Sequence, residues 1–300
     1  MKNESSIFKF HQVSDYTLDA LKNSYIYCNH FTAFNDPFEC WCTEVSGIPD
    51  PILEKDRFTE IYRAWGFEDP DFSDEGITML NDYCSEFVHD HSMKVEQYIE
   101  SAKIACFSRV HNSLLMWSHY TNGMRGFCIE FNPDVLIGGS NDATILKVQY
   151  KKKPAVLDTM LFEVANDQIW FHEMAIEEET GKKSHIKNYK PKYIKEYAWA
   201  LKKARKLIFD LYAKQLAVKP LEWKYENEIR LVFHSNENTR TGQFFEYPAV
   251  AVKSIVIGEK MSENDKVSLM SVIKENYPYI KVGAAKRERN TFNIIISYES

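Results

Sequence analysis

The chain of 300 residues lacks any run of about 18 consecutive apolar residues, the length that a membrane-spanning helix needs. Its first six residues also lack the apolar core of a secretion signal. We therefore expect a cytoplasmic protein with no membrane partner. The net charge of −6 argues against a general nucleic-acid coat protein.

Three common enzyme signatures are missing as well. The sequence has no Gly-rich phosphate loop, no Gly-x-Ser-x-Gly nucleophile turn and no His-Glu-x-x-His zinc motif. These absences argue against P-loop nucleotide hydrolysis, serine hydrolysis and zinc proteolysis. The six cysteines stand in largely apolar or aromatic surroundings, and a chain of this length does not need disulfides, so we expect buried, reduced thiols.

What is present is the composition of a globular protein, with 44% hydrophobic and 27% charged residues. Short strand-like runs and helical patterns are mixed along the chain, which predicts an α+β fold in a single domain, residues 1–300. A charged and aromatic segment at about 51–103 has helical periodicity in parts and predicts a helical insertion. A long amphipathic helix is predicted over about 193–217, before Pro220.

The segment 223–233 alternates polar and apolar residues, and we interpret it as a strand. In such a strand Glu226, Glu228 and Arg230 share one face. Two carboxylates beside a guanidinium can hold a substrate hydroxyl or a metal ion, or activate a nucleophile. The alternatives are a solvated strand face, or a helix in which Glu226 and Arg230 form an ordinary ion pair.

Two further groups of residues are candidates for the walls of a site. Asn35 and Asp36 precede Pro37 in a predicted turn, where they either line a site or bond to nearby backbone amides. On a predicted helix, Trp117 and Tyr120 can form an aromatic floor or pack in the core. His119 lies off their face, as a general acid or a simple hydrogen-bonding residue.

Seven segments together resemble domain-of-unknown-function family 2971, whose members are mostly bacterial and largely uncharacterised. The segments are Lys9-Phe10-His11, Phe34-Asn35-Asp36-Pro37-Phe38-Glu39, Cys106-Phe107-Ser108, Met116-Trp117-Ser118-His119-Tyr120, Gly126-Phe127-Cys128-Ile129-Glu130-Phe131, Trp223-x-x-Glu226-x-Glu228-x-Arg230 and Ile255-Val256-Ile257-Gly258.

A weaker resemblance is to mono-ADP-ribosyltransferases, which carry a basic or His residue on an early strand, a Ser or Tyr midway and a Glu late. Lys9 or His11 takes the first position here, Ser108 the second, and Glu226 with Glu228 the last. The resemblance implies a split or mixed β-sheet core with flanking helices. It also implies a cleft for NAD in which Glu228 grips a ribose hydroxyl and Glu226 steers the acceptor.

The leading hypothesis is therefore transfer of ADP-ribose from NAD to an unidentified protein or nucleic acid, or hydrolysis of NAD. By the resemblance this suits a role in bacterial defence. Glu228 and Glu226 are the catalytic residues with Arg230 beside them. The expected cofactor-binding residues are Lys9, His11, Ser108, Asn35, Asp36, Trp117, His119 and Tyr120.

Two other functions stay open at this point. The first is a magnesium-dependent nuclease, because several carboxylates can converge on a hard cation. These carboxylates are Asp36, Glu39, Glu130, Glu226 and Glu228. The second is a non-enzymatic module that binds a nucleotide or a partner without turnover.

Overall fold

The structure is a computed structural model that describes residues 6–86, 95–138, 143–191, 193–236 and 239–298. Its strands are β1 Ile7–His11, β2 Tyr25–Cys28, β3 Cys42–Val45, β4 Ala102–Ser108, β5 Phe127–Phe131, β6 Ala143–Lys147, β7 Gln149–Lys151, β8 Ala155–Asp158, β9 Val218–Pro220, β10 Glu228–His234, β11 Gln243–Glu246, β12 Val252–Gly258, β13 Lys281–Arg287 and β14 Ile294–Tyr298. Its α-helices are α1 Asp15–Lys22, α2 Lys55–Ala64, α3 Asp74–Glu86, α4 Leu114–Tyr120, α5 Pro133–Ile137, α6 Thr159–His185, α7 Ile194–Leu216 and α8 Glu263–Asn276.

The chain divides into two compact units. The first, which we call the sheet unit, consists of residues 1–40, 100–153 and 217–300. The second, which we call the helical unit, consists of residues 41–99 and 154–216. Two compact units can still belong to one domain, so the single-domain assignment stays a prediction.

The helical unit contains most of the segment in which a helical insertion was expected. Helices α2 and α3 lie within it, as does α7, which matches the long helix predicted before Pro220. The last two residues of that segment, Ala102 and Lys103, begin β4 and pair with His234 and Phe233. The unit has its own apolar core, in which Phe58 is fully buried.

The sheet unit is built on a mixed, open sheet of eight strands in the order β14-β13-β12-β5-β1-β4-β10-β6. Neighbouring strands are antiparallel except β12 and β13, which are parallel. The α+β class is confirmed. Both faces of the sheet are covered by apolar side chains, so β10 is buried from Glu228 through Val232 rather than alternating between core and solvent.

The two faces of this sheet have separate cores. One contains Phe107, Ile129 and Leu231. The other contains Phe8 and the fully buried Trp117 of α4. Because strand side chains alternate between faces, neighbours such as Ile7 and Phe8 of β1 contribute to opposite cores.

The sheet opens between β1 and β4, the fifth and sixth strands in this order. Strand β1 pairs with β5 along its whole length, but its register with β4 is Phe8 opposite Ser108. Farther along β4, Ile104 is bridged instead to Asn29, which follows β2. Strands β1 and β4 therefore diverge, and a cavity lies where they part.

None of the helices in the described ranges is long and apolar enough to cross a membrane.

A close backbone approach at the start of β5 leads to a stability prediction. A Cβ added at Gly126 would lie 1.9 Å from the carbonyl oxygen of His11, on the neighbouring strand. We expect Gly126→Ala to lower the free energy of unfolding by about 1–3 kcal/mol, the usual cost of overpacking. Urea denaturation of the purified variant measures this change.

The matched control is the same substitution at Gly181 in α6, where a new Cβ meets nothing within 4 Å. Alanine is favoured over glycine in a helix interior by about 1 kcal/mol. We expect Gly181→Ala to leave stability unchanged or raise it. Equal effects at the two positions would contradict the crowding argument.

Candidate active site

The acidic residues of the candidate site come from a short turn and the strand that follows it. Residues 221–226 form a 3-10 turn after Pro220, and Asn227 is in the left-handed region with φ of 45°. Asparagine tolerates this conformation better than most residues. Strand β10 therefore starts at Glu228, and the prediction that Glu226 lies on the strand was wrong.

Arg230 is the centre of the charged cluster. Its Nε donates to Glu228 Oε1 at 2.8 Å, and its Nη1 donates to Glu39 Oε1 at 2.5 Å. Glu228 and Arg230 are two residues apart on β10, so their side chains lie on the same face, as the alternation predicts. Glu39 reaches the guanidinium from the loop after Pro37.

Lys219 joins the two acids of the predicted pair. Its Nζ donates to Glu226 Oε2 at 2.8 Å and to Glu228 Oε2 at 3.1 Å. The hydroxyl of Tyr120 donates to the other oxygen of Glu226. Glu226 and Glu228 thus share one ammonium group although they belong to different local structures.

Hydrogen bonds between side chains and the backbone fix the turn that carries Glu226. The hydroxyl of Ser108 donates to the carbonyl oxygen of Glu226 at 2.6 Å. The backbone N–H of Glu228 donates to Tyr150 Oη at 2.7 Å. Ser108 is the last residue of β4 and stands opposite Phe8 of β1 and Glu228 of β10. Its hydroxyl therefore ties the turn to the middle of the sheet.

We call Glu39, Lys219, Glu226, Glu228 and Arg230 the ion network. All five side chains are at most 6% exposed. Three carboxylates and two cations leave the fully ionised network with one negative charge. Charged groups this deeply buried are retained only where partners compensate for their lost hydration.

The two acids of the pair titrate in opposite directions. Burial raises the pKa of Glu226 above its usual value, although Lys219 and Tyr120 oppose the shift. Burial also disfavours ionised Glu228, but Arg230 and Lys219 outweigh it and lower the pKa of Glu228 to about 2. Paired carboxylates whose pKa values are pushed apart are suited to different roles in acid–base chemistry.

The site cavity is the one that lies where β1 and β4 part. Glu226 and Glu228 line it together with Lys219. The other lining residues are Phe8, Lys9, Phe10, Phe34, Asn35, Cys106, Phe107, Met116 and Tyr120. Aromatic and apolar walls with a few charged groups are typical of small-molecule sites.

Lys9 is a cation of this cavity outside the ion network. Its Nζ donates to the carbonyl oxygen of Cys106 at 3.1 Å and lies 5.1 Å from the centre of the Phe107 ring. Burial lowers the pKa of Lys9. No carboxylate of the described residues lies within 4 Å of its ammonium group.

The structure brings several predicted site residues together. Glu226, Glu228, Lys9, Asn35 and Tyr120 line the site cavity. Arg230 and Ser108 bond to the acids behind it. Their roles in binding or catalysis stay predictions.

Other predicted residues lie elsewhere. Trp117 is fully buried, and its indole N–H donates to the carbonyl oxygen of His111 at 2.6 Å, so it packs in the core. His119 is exposed and does not line the site cavity. Asp36 is 4% exposed and accepts from the N–H of Phe38 at 2.9 Å, which is the turn chemistry given as its alternative.

His11 belongs to a second cavity, which it shares with Lys9 and several tyrosines. Residues alternate along β1, so His11 is on the face opposite Phe8 and Ser108. Burial lowers the pKa of His11 to about 3, which leaves the ring neutral at physiological pH.

The carboxylates considered for magnesium are divided, because Glu39, Glu226 and Glu228 belong to the ion network and Glu130 does not. Glu130 bonds to Ser6 and Ser254 instead. Glu39, Glu226 and Glu228 face Lys219 or Arg230. Among the described residues no group of three or more His, Cys, Asp or Glu side chains is arranged to hold a metal ion.

Two members of the site were missed from the sequence. The first is Lys219, whose apolar neighbours Ala217, Val218 and Leu221 were a usable sign of burial. The second is Tyr150. Its contact with Glu228 joins residues 78 positions apart, which no local pattern reports.

The model of a protein family, described as "Protein of unknown function (DUF2971)", matches residues 116–231. This match confirms the resemblance for the motifs that lie within these residues. No curated protein and no solved structure matches the chain at a significant level.

The lowered pKa of Glu228 predicts a specific loss of stability in acid. The unfolded-state pKa of a Glu is about 4.3, so the stabilisation by ionised Glu228 is complete above that pH and is lost as the pH falls toward about 2. A shift of this size corresponds to about 3 kcal/mol, at about 1.4 kcal/mol per pKa unit.

We expect the difference in unfolding free energy between wild type and Glu228→Gln to shrink by that amount between pH 6 and pH 2, measured by urea denaturation. Glu222→Gln, an exposed change on the same turn, serves as the control and should keep a constant difference. A Glu228→Gln difference that does not vary with pH would contradict the assigned ionisation.

Proposed function

We propose that the site cavity binds NAD and that the protein transfers ADP-ribose to a macromolecule or to water. The observation that supports this most is the acid pair Glu226 and Glu228. The two carboxylates line one cavity and share Lys219, yet their pKa values are shifted in opposite directions. Cleavage of an N-glycosidic bond with transfer to an acceptor needs one fixed negative charge and one group that exchanges a proton.

Glu228 suits the first of these roles. Its low pKa keeps it ionised, and Arg230 and Lys219 hold its two oxygens in place. As the bond between ribose C1′ and the nicotinamide nitrogen breaks, the bonding pair leaves with neutral nicotinamide and positive charge develops on the ribose. A carboxylate already fixed beside the ribose stabilises that charge without reorganisation.

Glu226 suits the second role. The acceptor oxygen or nitrogen forms a new bond to C1′ and loses one proton, which passes to the carboxylate of Glu226. A raised pKa makes a carboxylate a better base at neutral pH. Lys219 and Tyr120 keep the carboxylate oriented toward the cavity that it lines.

Other lining residues of the cavity supply groups that parts of a dinucleotide can contact. The ammonium of Lys9 makes one hydrogen bond within the protein and retains donors for a phosphate oxygen. The rings of Phe8 and Tyr120 and the side chain of Met116 supply surface against which a nicotinamide ring can stack. Asn35, which is exposed at the rim, adds a neutral amide.

A binding module without turnover is the second candidate, and one observation favours it. Lys219 and Arg230 already pair with all three carboxylates of the ion network. Carboxylates held in this way can serve as a rigid support for a bound nucleotide. The two candidates differ in whether nicotinamide is released.

The test is nicotinamide release from NAD by purified protein, with and without a cell lysate as the source of acceptor. We expect wild type to release nicotinamide, and Glu226→Gln and Glu228→Gln each to slow release by about 100-fold or more, the usual contribution of an acid–base or charge-stabilising group. Glu222→Gln is the control on the same turn and should keep wild-type activity.

Thermal unfolding of each variant, with and without NAD, separates loss of chemistry from loss of fold. NAD that raises the melting temperature of the wild type without nicotinamide release would support the binding module instead. Neither stabilisation nor release would overturn both candidates.

A further inference from the structure

A third pocket of the sheet unit lies beside the 3-10 turn 221–226 and the start of β10. We call it the basic pocket. Its volume is about 330 Å³, many times the roughly 15 Å³ that one water molecule needs. Its lining residues are Arg109, Lys147, Val148, Gln149, Tyr150, Leu221, Lys224, Asn227 and Glu228.

Hydrogen bonds between three chain segments hold the floor of this pocket. The N–H of Arg109 donates to the carbonyl oxygen of Asn227 at 2.9 Å, and the N–H of Val148 donates to that of Glu228 at 3.1 Å. The hydroxyl of Tyr150 accepts from the N–H of Glu228 at 2.7 Å. The pocket is therefore a fixed concavity and not a gap between loose loops.

The charge of the pocket is strongly positive. Arg109, Lys147 and Lys224 are exposed, and within the described residues none of them lies within 4 Å of a carboxylate. Glu228 is the one acidic lining residue, and its carboxylate is bonded to Arg230 and Lys219. The protein as a whole carries a net charge of −6, so this local excess of positive charge runs against its average.

Neutral donors accompany the three cations. Tyr150 accepts a backbone hydrogen bond and keeps its own O–H proton for another partner. The exposed amides of Gln149 and Asn227 are also at the pocket. A guanidinium can bind a phosphate through two parallel hydrogen bonds, and the two ammonium groups and the neutral donors can bind its remaining oxygens.

We propose that the basic pocket binds a phosphate group. The phosphate belongs either to a free nucleotide or to the backbone of a nucleic acid, since both present the same oxygens. This assignment does not depend on the proposed NAD chemistry, because the pocket has its own residues apart from Glu228. If the NAD chemistry is correct, the pocket would hold a phosphate-bearing acceptor next to the 3-10 turn that carries Glu226.

The test is the binding of a fluorescein-labelled single-stranded RNA of about 12 nucleotides, a length within the usual site size of proteins that bind single strands. Binding is followed by fluorescence anisotropy in the absence of NAD. The salt concentration is varied between about 50 and 200 mM, a range over which phosphate contacts weaken strongly. We expect binding to weaken with salt, and Lys147→Gln with Lys224→Gln to reduce the magnitude of the slope of log K against log salt by about 0.7 per lysine. Arg109→Gln should weaken binding further.

The matched control is Lys274→Gln with Lys281→Gln, two exposed lysines of the sheet unit that do not line the pocket. This pair makes the same change in net charge and should leave the slope near that of the wild type. Melting temperatures of all variants should stay close to the wild-type value, since the substituted side chains are exposed.

Two further probes identify the source of the phosphate. The first outcome is that ADP or inorganic phosphate displaces the RNA and binds more weakly to the lysine variant. This result would show that a free nucleotide or phosphate ion is sufficient as the ligand. RNA that binds in a lysine-dependent way without such displacement indicates the polymer backbone. Equal binding by wild type and the lysine variant, or polyglutamate binding as tightly as RNA, would overturn the proposal. Because NAD is absent, these outcomes do not depend on nicotinamide release.

Discussion

The buried guanidinium of Arg230 is the constraint on which the candidate site depends. It is fully buried, and such a charge is tolerated only because Glu228 and Glu39 lie within hydrogen-bonding distance. Glu228 in turn shares Lys219 with Glu226. Three separate parts of the chain are thus held in one place by electrostatics rather than by apolar packing alone.

The divergence of β1 and β4 gives this network access to a ligand. If the two strands paired along their length, as β1 and β5 do, backbone hydrogen bonds and side chains would fill the space beside Glu226. Instead Phe8 and Ser108 close one end of the opening, and Lys9 reaches into it. A buried, partly unsatisfied cation and an acid pair at such an opening are features of binding sites more than of structural cores.

Much of the sheet unit was predictable because its signals are local. Ser14 caps α1 and Ser113 caps α4, the position that serine favours, and the apolar run of β12 ends at Gly258. The face shared by Glu228 and Arg230 also follows from simple alternation. The 3-10 turn before Asn227 was not predictable, because alternating polar and apolar residues continue through it while the backbone conformation changes.

The partners of the acids were hidden for a related reason. Glu39 and Arg230 are 191 positions apart, and Lys219 reaches Glu226 across a turn that the sequence pattern disguises as a strand. A buried charge has no sequence signature of its own, since only the fold reveals which opposite charge compensates it. The same reasoning distinguishes the lysine of the ion network from the two lysines of the basic pocket. Lys219 is fixed by two carboxylates, whereas among the described residues no carboxylate lies within 4 Å of Lys147 or Lys224. Lys219 therefore supports the acids, and the other two lysines remain available to an anion.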